Sequence, residues 1–136
     1  MSLNNVQLDN LARSHPSLGP QFYGTVPCDR LPDKTDKCGP LGYIMNTDPQ
    51  CQPGRHRIAL WTQGNVCELK DSYALRLETY LSTRPLQEWL DRHWKCVVQN
   101  GRSLQSLYSQ SCGDYALMYL IDRAEGRTLK RVFESI

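Results

Sequence analysis

A chain of 136 residues, 40% of them hydrophobic, fits one domain over residues 1–136 with material for one buried core. Its formal charge of +2 is too faint to argue for nucleic acid by itself, and no apolar stretch is long enough to span a bilayer. The cysteines and histidines are scattered without a Cys-x-x-Cys pair, which argues against a metal site, and with no signal peptide ahead of them we expect reduced thiols in a cytosolic or nuclear setting rather than a secreted disulfide scaffold.

Leu3, Val6, Leu8 and Leu11 have a loose helical spacing that ends before Ser14, His15 and Pro16, so residues 3–12 are predicted to form a short helix. Residues 22–26 read as a strand. Proline, glycine and charge concentrate over 28–40, which reads as an exposed loop, and 41–46 read as a buried strand leading into the turn-rich 47–54. Two strand-like runs follow, 56–62 and 65–71, joined through Gln63-Gly64 or Gly64-Asn65 as a tight hairpin. Thr83 and Pro85 open an amphipathic helix carrying Leu86, Trp89, Leu90, His93 and Trp94. Residues 95–99 can form one more strand, closed by Asn100-Gly101. The last helix is predicted from Cys112 to about Ala124, with the basic tail over 123–131 adding a further turn or two. There is no internal repeat and no low-complexity segment. The expected class is α+β, a small and mostly antiparallel central sheet flanked by helices.

Alternation along the hairpin selects candidate functional residues, because partners across a two-residue turn share a face. With the turn at Gln63-Gly64, Leu60 meets Cys67, Ile58 meets Leu69, and His56 stands opposite Asp71. With the turn at Gly64-Asn65, His56 and Asp71 become diagonal neighbours on the same face, roughly 7–8 Å apart. The opposite face, with Arg57, Trp61, Glu68 and Lys70, is expected to be partly exposed to solvent. A carboxylate beside the imidazole would fix its tautomer and stabilise the imidazolium. On that pair alone, a strand-end histidine near an ordinary turn aspartate is an equally good reading.

Cys112 shifts the balance. Ser111 and Asp114 fit a capping box that makes Cys112 the first helical residue, where unpaired amides and the positive helix end favour a thiolate. Gly113 is expected to clear bulk where a substrate carbonyl approaches. A buried, inert cysteine starting a core helix is the alternative. Gln105, seven positions ahead of Cys112, can fold back as a side-chain donor to an oxyanion, an interaction whose loss typically costs about 2.7–4 kcal/mol. The closer Gln110 and the earlier Gln99 are poorer candidates for this role.

These residues stand in the order His56, Asp71, Gln105, Cys112, and the surrounding sequence resembles the adenovirus maturation proteases, the adenain family. The resemblance spans about residues 22–120. Its marks are Phe22-Tyr-Gly-Thr with Asp29-Arg-Leu-Pro32, Ile44-Met-Asn-Thr47, Gly54-Arg-His56, and Cys112-Gly113. Arg57 departs from the pattern, which has tryptophan after the histidine, and Trp61 is expected to replace part of that aromatic surface.

The resemblance implies a thiol protease related to the SUMO-deconjugating enzymes. Its substrates would be viral capsid and core precursors cut near glycine, and it would act as a monomer in the host nucleus and virion, with no cofactor required for the chemistry, no metal and no membrane contact. It further implies activation by a disulfide-linked peptide, for which Cys96 is the nearest counterpart, and by DNA, for which Arg123, Arg127, Lys130 and Arg131 are available. A strand cysteine and a solvated basic face account for the same residues. The rival readings are a deconjugase of ubiquitin-like tags and an inactive interaction module of the same fold.

Overall fold

Five strands lie side by side in chain order in one mixed sheet: β1 Phe22–Pro27, β2 Leu41–Asn46, β3 Arg57–Gln63, β4 Val66–Lys70 and β5 Cys96–Gln99. The helices are α1 Asn5–Ser14, α2 Arg84–His93 and α3 Cys112–Ala124. The computed structural model describes residues 4–33, 35, 39–46, 56–70, 84–99 and 112–127. Strands β2, β3 and β4 form an antiparallel meander, and the two outer strands each run parallel to their neighbours.

The hairpin adopts the second of the two registers. Gln63 pairs with Val66, Thr62 with Cys67 and Leu60 with Leu69, which leaves Gly64 and Asn65 as the turn. Gly64 has φ of 60°, the left-handed conformation that a two-residue hairpin turn of this hand requires. The carbonyl of Asn65 then accepts hydrogen bonds from the amides of Lys95 and Cys96, at 3.0 and 3.2 Å, which ties the start of β5 to that turn.

Both faces of the sheet are covered. Ile44, Ala59 and Trp61 pack under Leu8 and Ala12 of α1 and Ala116, Leu117 and Leu120 of α3. Tyr43, Met45, Ile58, Leu60, Cys67 and Leu69 pack on the other side with Leu86, Trp89 and Leu90 of α2 and with Trp94. This corrects the expectation of a partly exposed face: Trp61, Glu68 and Lys70 are only 2%, 4% and 4% exposed. The cause is α3. Its Arg123 grips the Glu68 carboxylate with Nε at 2.8 Å and Nη2 at 2.9 Å, and the Tyr119 hydroxyl donates to the same carboxylate. The Arg123 guanidinium also sits 6.0 Å from the centre of the Trp61 ring. A buried carboxylate held by a forked cation and a hydroxyl is satisfied without water.

Local chemistry accounts for where the helices begin and end. Helix α1 starts at a reciprocal capping box, Asn4 Oδ1 accepting from Gln7 N at 2.8 Å and Gln7 Oε1 accepting from Asn4 N at 2.9 Å. Helix α3 has the predicted bounds, and the described part of the basic tail beyond Ala124, through Arg127, adds no helical turn. Gly126, with φ of 88°, donates to the Arg123 carbonyl at 3.0 Å while Arg127 donates to that of Asp122 at 3.1 Å, the paired bonds that close a helix on a left-handed glycine.

The described residues of the segment read as an exposed loop are irregular and mostly exposed or half-buried, with one buried anchor. Cys28 is 1% exposed and joins the α2-side core, and Trp89 Nε1 donates to the Pro32 carbonyl at 2.8 Å. Proline and charge marked the segment correctly as irregular, but they do not report a core helix lying over it.

Candidate active site

The direction of α3 across the sheet follows from two close approaches. A methyl group at Gly42 would lie 3.2 Å from Leu120 Cδ2 and 3.4 Å from Trp61 Cε3. At the other end of the helix, a methyl group at Gly113 would lie 2.8 Å from Leu8 Cδ1 and 3.3 Å from Arg57 Cδ. Because Gly42 pairs with Trp61 and Asn46 with Arg57, α3 runs along β3 in the same sense, and both begin at the same end of the sheet. His56 immediately precedes Arg57, and Cys112 immediately precedes Gly113. The contact between Arg57 and Gly113 therefore brings the two chain positions singled out for catalysis to one rim.

His56 is 4% exposed and stands just ahead of the first residue of β3. Strand alternation concerns the side of the sheet that His56 takes. It placed His56 on the face of Ile58 and Leu60, which α2 covers, whereas α3 covers the face of Ala59 and Trp61. His56 lies one residue beyond the Asn46–Arg57 pair, at the rim where α3 also begins. Among the described residues, the β3–β4 ladder extends to the pair Ala59 and Lys70. Asp71, Gln105, the Ser111 cap and the Cys112 side chain lie outside the described residues.

Gly113 has a different reason from the one expected. Its missing side chain admits Leu8 and the Arg57 stem, so the space is packed with protein and not left open to substrate. Gly113→Ala is expected to cost about 1–3 kcal/mol through overpacking, read as a lower denaturation midpoint. Arg57 likewise has a defined setting: its stem faces Gly113 and its Nε donates to Asn5 Oδ1 at 2.8 Å. Trp61 does not stand in beside the histidine, since it lies farther along β3 near Gly42 and Arg123.

Sequence reasoning missed three residues at this rim. Asn5 and Leu8 belong to the amino-terminal helix, and no local pattern links them to residues 57 and 113. Asn46, 3% exposed, pairs with Arg57 across the ladder, and its Oδ1 accepts no hydrogen bond among the described residues. Its only sequence signal was the Ile44-Met-Asn-Thr47 run.

The described cysteines differ sharply in chemistry. Cys67 is fully buried, and burial first and the adjacent Glu68 second push its thiol far above the usual range, which makes it inert at neutral pH. Cys96 is exposed on β5 and forms no disulfide with any described cysteine.

Of the basic residues considered for DNA, Arg123 is committed to Glu68, and Arg127 pairs with Asp122 and with Glu125, the latter at 2.9 Å. Neither belongs to a free basic face, and Lys130 and Arg131 lie outside the described residues. Among the described residues, no group of three His, Cys, Asp or Glu could hold a metal ion, and no helix is long and apolar enough to cross a membrane.

No protein-family model and no curated protein matches the chain. Among solved structures it is similar to the crystal structure of the ASFV pS273R protease, with a TM-score of 0.67 at 16% identity. The match covers 98% of this chain and 62% of that one, so the chain spans less than two thirds of the protease's length. The chain has an α+β fold, a mixed five-stranded sheet with helices on both faces, and that fold is the one seen in this protease.

Proposed function

We propose that the chain is a viral-type cysteine endopeptidase with Cys112 as nucleophile, His56 as base, Asp71 as the group that orients His56, and Gln105 as an oxyanion donor. The observation that carries this reading is the meeting of Gly113 with Arg57, which sets the start of the Cys112 helix against the start of the His56 strand. His56 takes the thiol proton, and the thiolate attacks the peptide carbonyl. The oxyanion is held by Gln105 and the Cys112 amide, and the imidazolium protonates the leaving amine. Water, deprotonated by His56, then hydrolyses the thioester and releases the free thiol.

The substrates we propose are precursor polypeptides cut beside glycine, where a narrow cleft admits a residue without a side chain. Maturation of viral capsid and core proteins in the nucleus and virion, by a monomer, is the setting that fits such an enzyme. An activating peptide joined through Cys96, and DNA as a second activator, belong to the same proposal.

Alkylation gives a direct test. With iodoacetamide near neutral pH, peptide mapping is expected to show Cys112 modified faster than the exposed Cys96, and His56→Ala is expected to slow Cys112 by about 10–30-fold, toward the rate of an ordinary thiol, while leaving Cys96 unchanged. Equal rates at both cysteines in the unaltered chain would favour the inactive interaction module.

A further inference from the structure

We infer that Arg57 is a positioning residue, a brace that fixes the His56 end of β3 against the first turn of α3. The inference rests on the protease reading above and concerns how its two reacting groups are held at a working distance. Arg57 is one peptide unit from His56, and Gly113 is one peptide unit from Cys112, so each Cα lies about 3.8 Å from its neighbour's. A contact between Arg57 and Gly113 is therefore the shortest link through which the fold can set the separation of base and nucleophile. That separation matters on a fine scale, because proton transfer needs heavy atoms within about 2.6–3.2 Å.

The Arg57 side chain is held along its length. Its Cδ stands 3.3 Å from where a Gly113 methyl would be, and its Nε donates to Asn5 Oδ1 at 2.8 Å. Leu8, one turn farther along α1, would stand with its Cδ1 2.8 Å from that same methyl. Across the ladder, Asn46 pairs with Arg57 and fixes its backbone. One side chain thus joins β3, α3 and α1. A long side chain left free would sample many rotamers, whereas one tethered at its head keeps its stem in a single place. The planar guanidinium suits that task because its donors point in fixed directions. Helix α1, the farthest described element from Cys112 in sequence, becomes part of the frame of the active site through this residue.

The test uses the full chain and hydrolysis of a fluorogenic glycine-containing peptide, with Arg57→Ala, Arg57→Met and Asn5→Ala compared over pH. Arg57→Ala is expected to lower kcat by about 10–100-fold, since misplacement on the scale of 1 Å costs about that much. KM is expected to stay within about two-fold, because the brace touches no substrate. The acid limb of the pH profile, set by the thiolate–imidazolium pair, should move in the same variant. Arg57→Met keeps the stem and loses the tether, and is expected to fall between Arg57→Ala and the unaltered chain in kcat; Asn5→Ala, which removes the same tether, should match it.

Circular dichroism on each variant separates displacement from unfolding. Unchanged kcat and pH profile in Arg57→Ala would overturn the inference, as would a loss that follows the folded fraction alone. If the unaltered chain shows neither turnover nor fast Cys112 alkylation, the protease reading falls and this inference falls with it. Normal turnover in the unaltered chain and in Arg57→Ala removes the brace alone.

Discussion

Cys112→Ala is expected to abolish hydrolysis of a glycine-containing peptide, a loss of roughly 10⁶-fold in kcat, as found when the nucleophile of a covalent protease is removed. The thiolate is the group whose chemistry no neighbour can replace. Cys112 is the first residue of α3, where unpaired backbone amides and the positive helix end stabilise an anion. The remaining polar groups can still bind and polarise a carbonyl, so a small residual rate over water is expected. Peptide cleavage measured with and without DNA, beside a ubiquitin-like fusion, separates an endopeptidase from a deconjugase. Full turnover by Cys112→Ala would assign the reaction to another group, and the exposed Cys96 would be the first to examine.

Glu68→Ala is expected to destabilise the fold by about 3–5 kcal/mol in chemical denaturation, the range for removing one partner of a buried ion pair. Glu68 and Arg123 side chains are only 6% and 14% exposed, and the substitution strips both carboxylate bonds from Arg123 and the acceptor from Tyr119. The cost arises from the cation left behind rather than from the net worth of the pair. Replacing both partners with leucine, Glu68→Leu with Arg123→Leu, should therefore be close to neutral. If the single and double variants lost equal stability, the pair would be contributing attraction beyond its desolvation cost and this account would fail. The Tyr119 hydroxyl, buried first and next to Glu68 second, is held far above its usual ionisation range and donates throughout the neutral range.

Local signals and distant ones were legible to very different degrees. The start of α3 at Cys112 and its end at Ala124 were readable because capping and termination are written within a few residues of each other. The hairpin was readable up to a choice of two registers, and a glycine with φ of 60° at position 64 decided it. The face of Trp61, Glu68 and Lys70 was misread because polar residues in a strand signal solvent unless their partners are known. Those partners, Tyr119 and Arg123, lie 51 and 55 residues away from Glu68. The role of Gly113 was misread for the same reason, since Leu8 and Arg57 reach it only through the tertiary fold. His56 and Cys112 were proposed from residue type and order, while the meeting of their neighbours Arg57 and Gly113 depends on which face α3 covers, and alternation along one hairpin does not contain that information.

Strands β1 to β5 all precede α3 in the chain, and the order has a consequence for biosynthesis. A ribosome adds Cys112 after the five described strands have been made, so under the proposed mechanism a nascent chain ending short of α3 carries His56 without its nucleophile. The meander β2–β3–β4 needs only short-range pairing, while docking of α3 must close a longer loop back to residues 8 and 57 and is expected to be correspondingly late. Under that mechanism, hydrolytic power is withheld until translation has passed the start of α3.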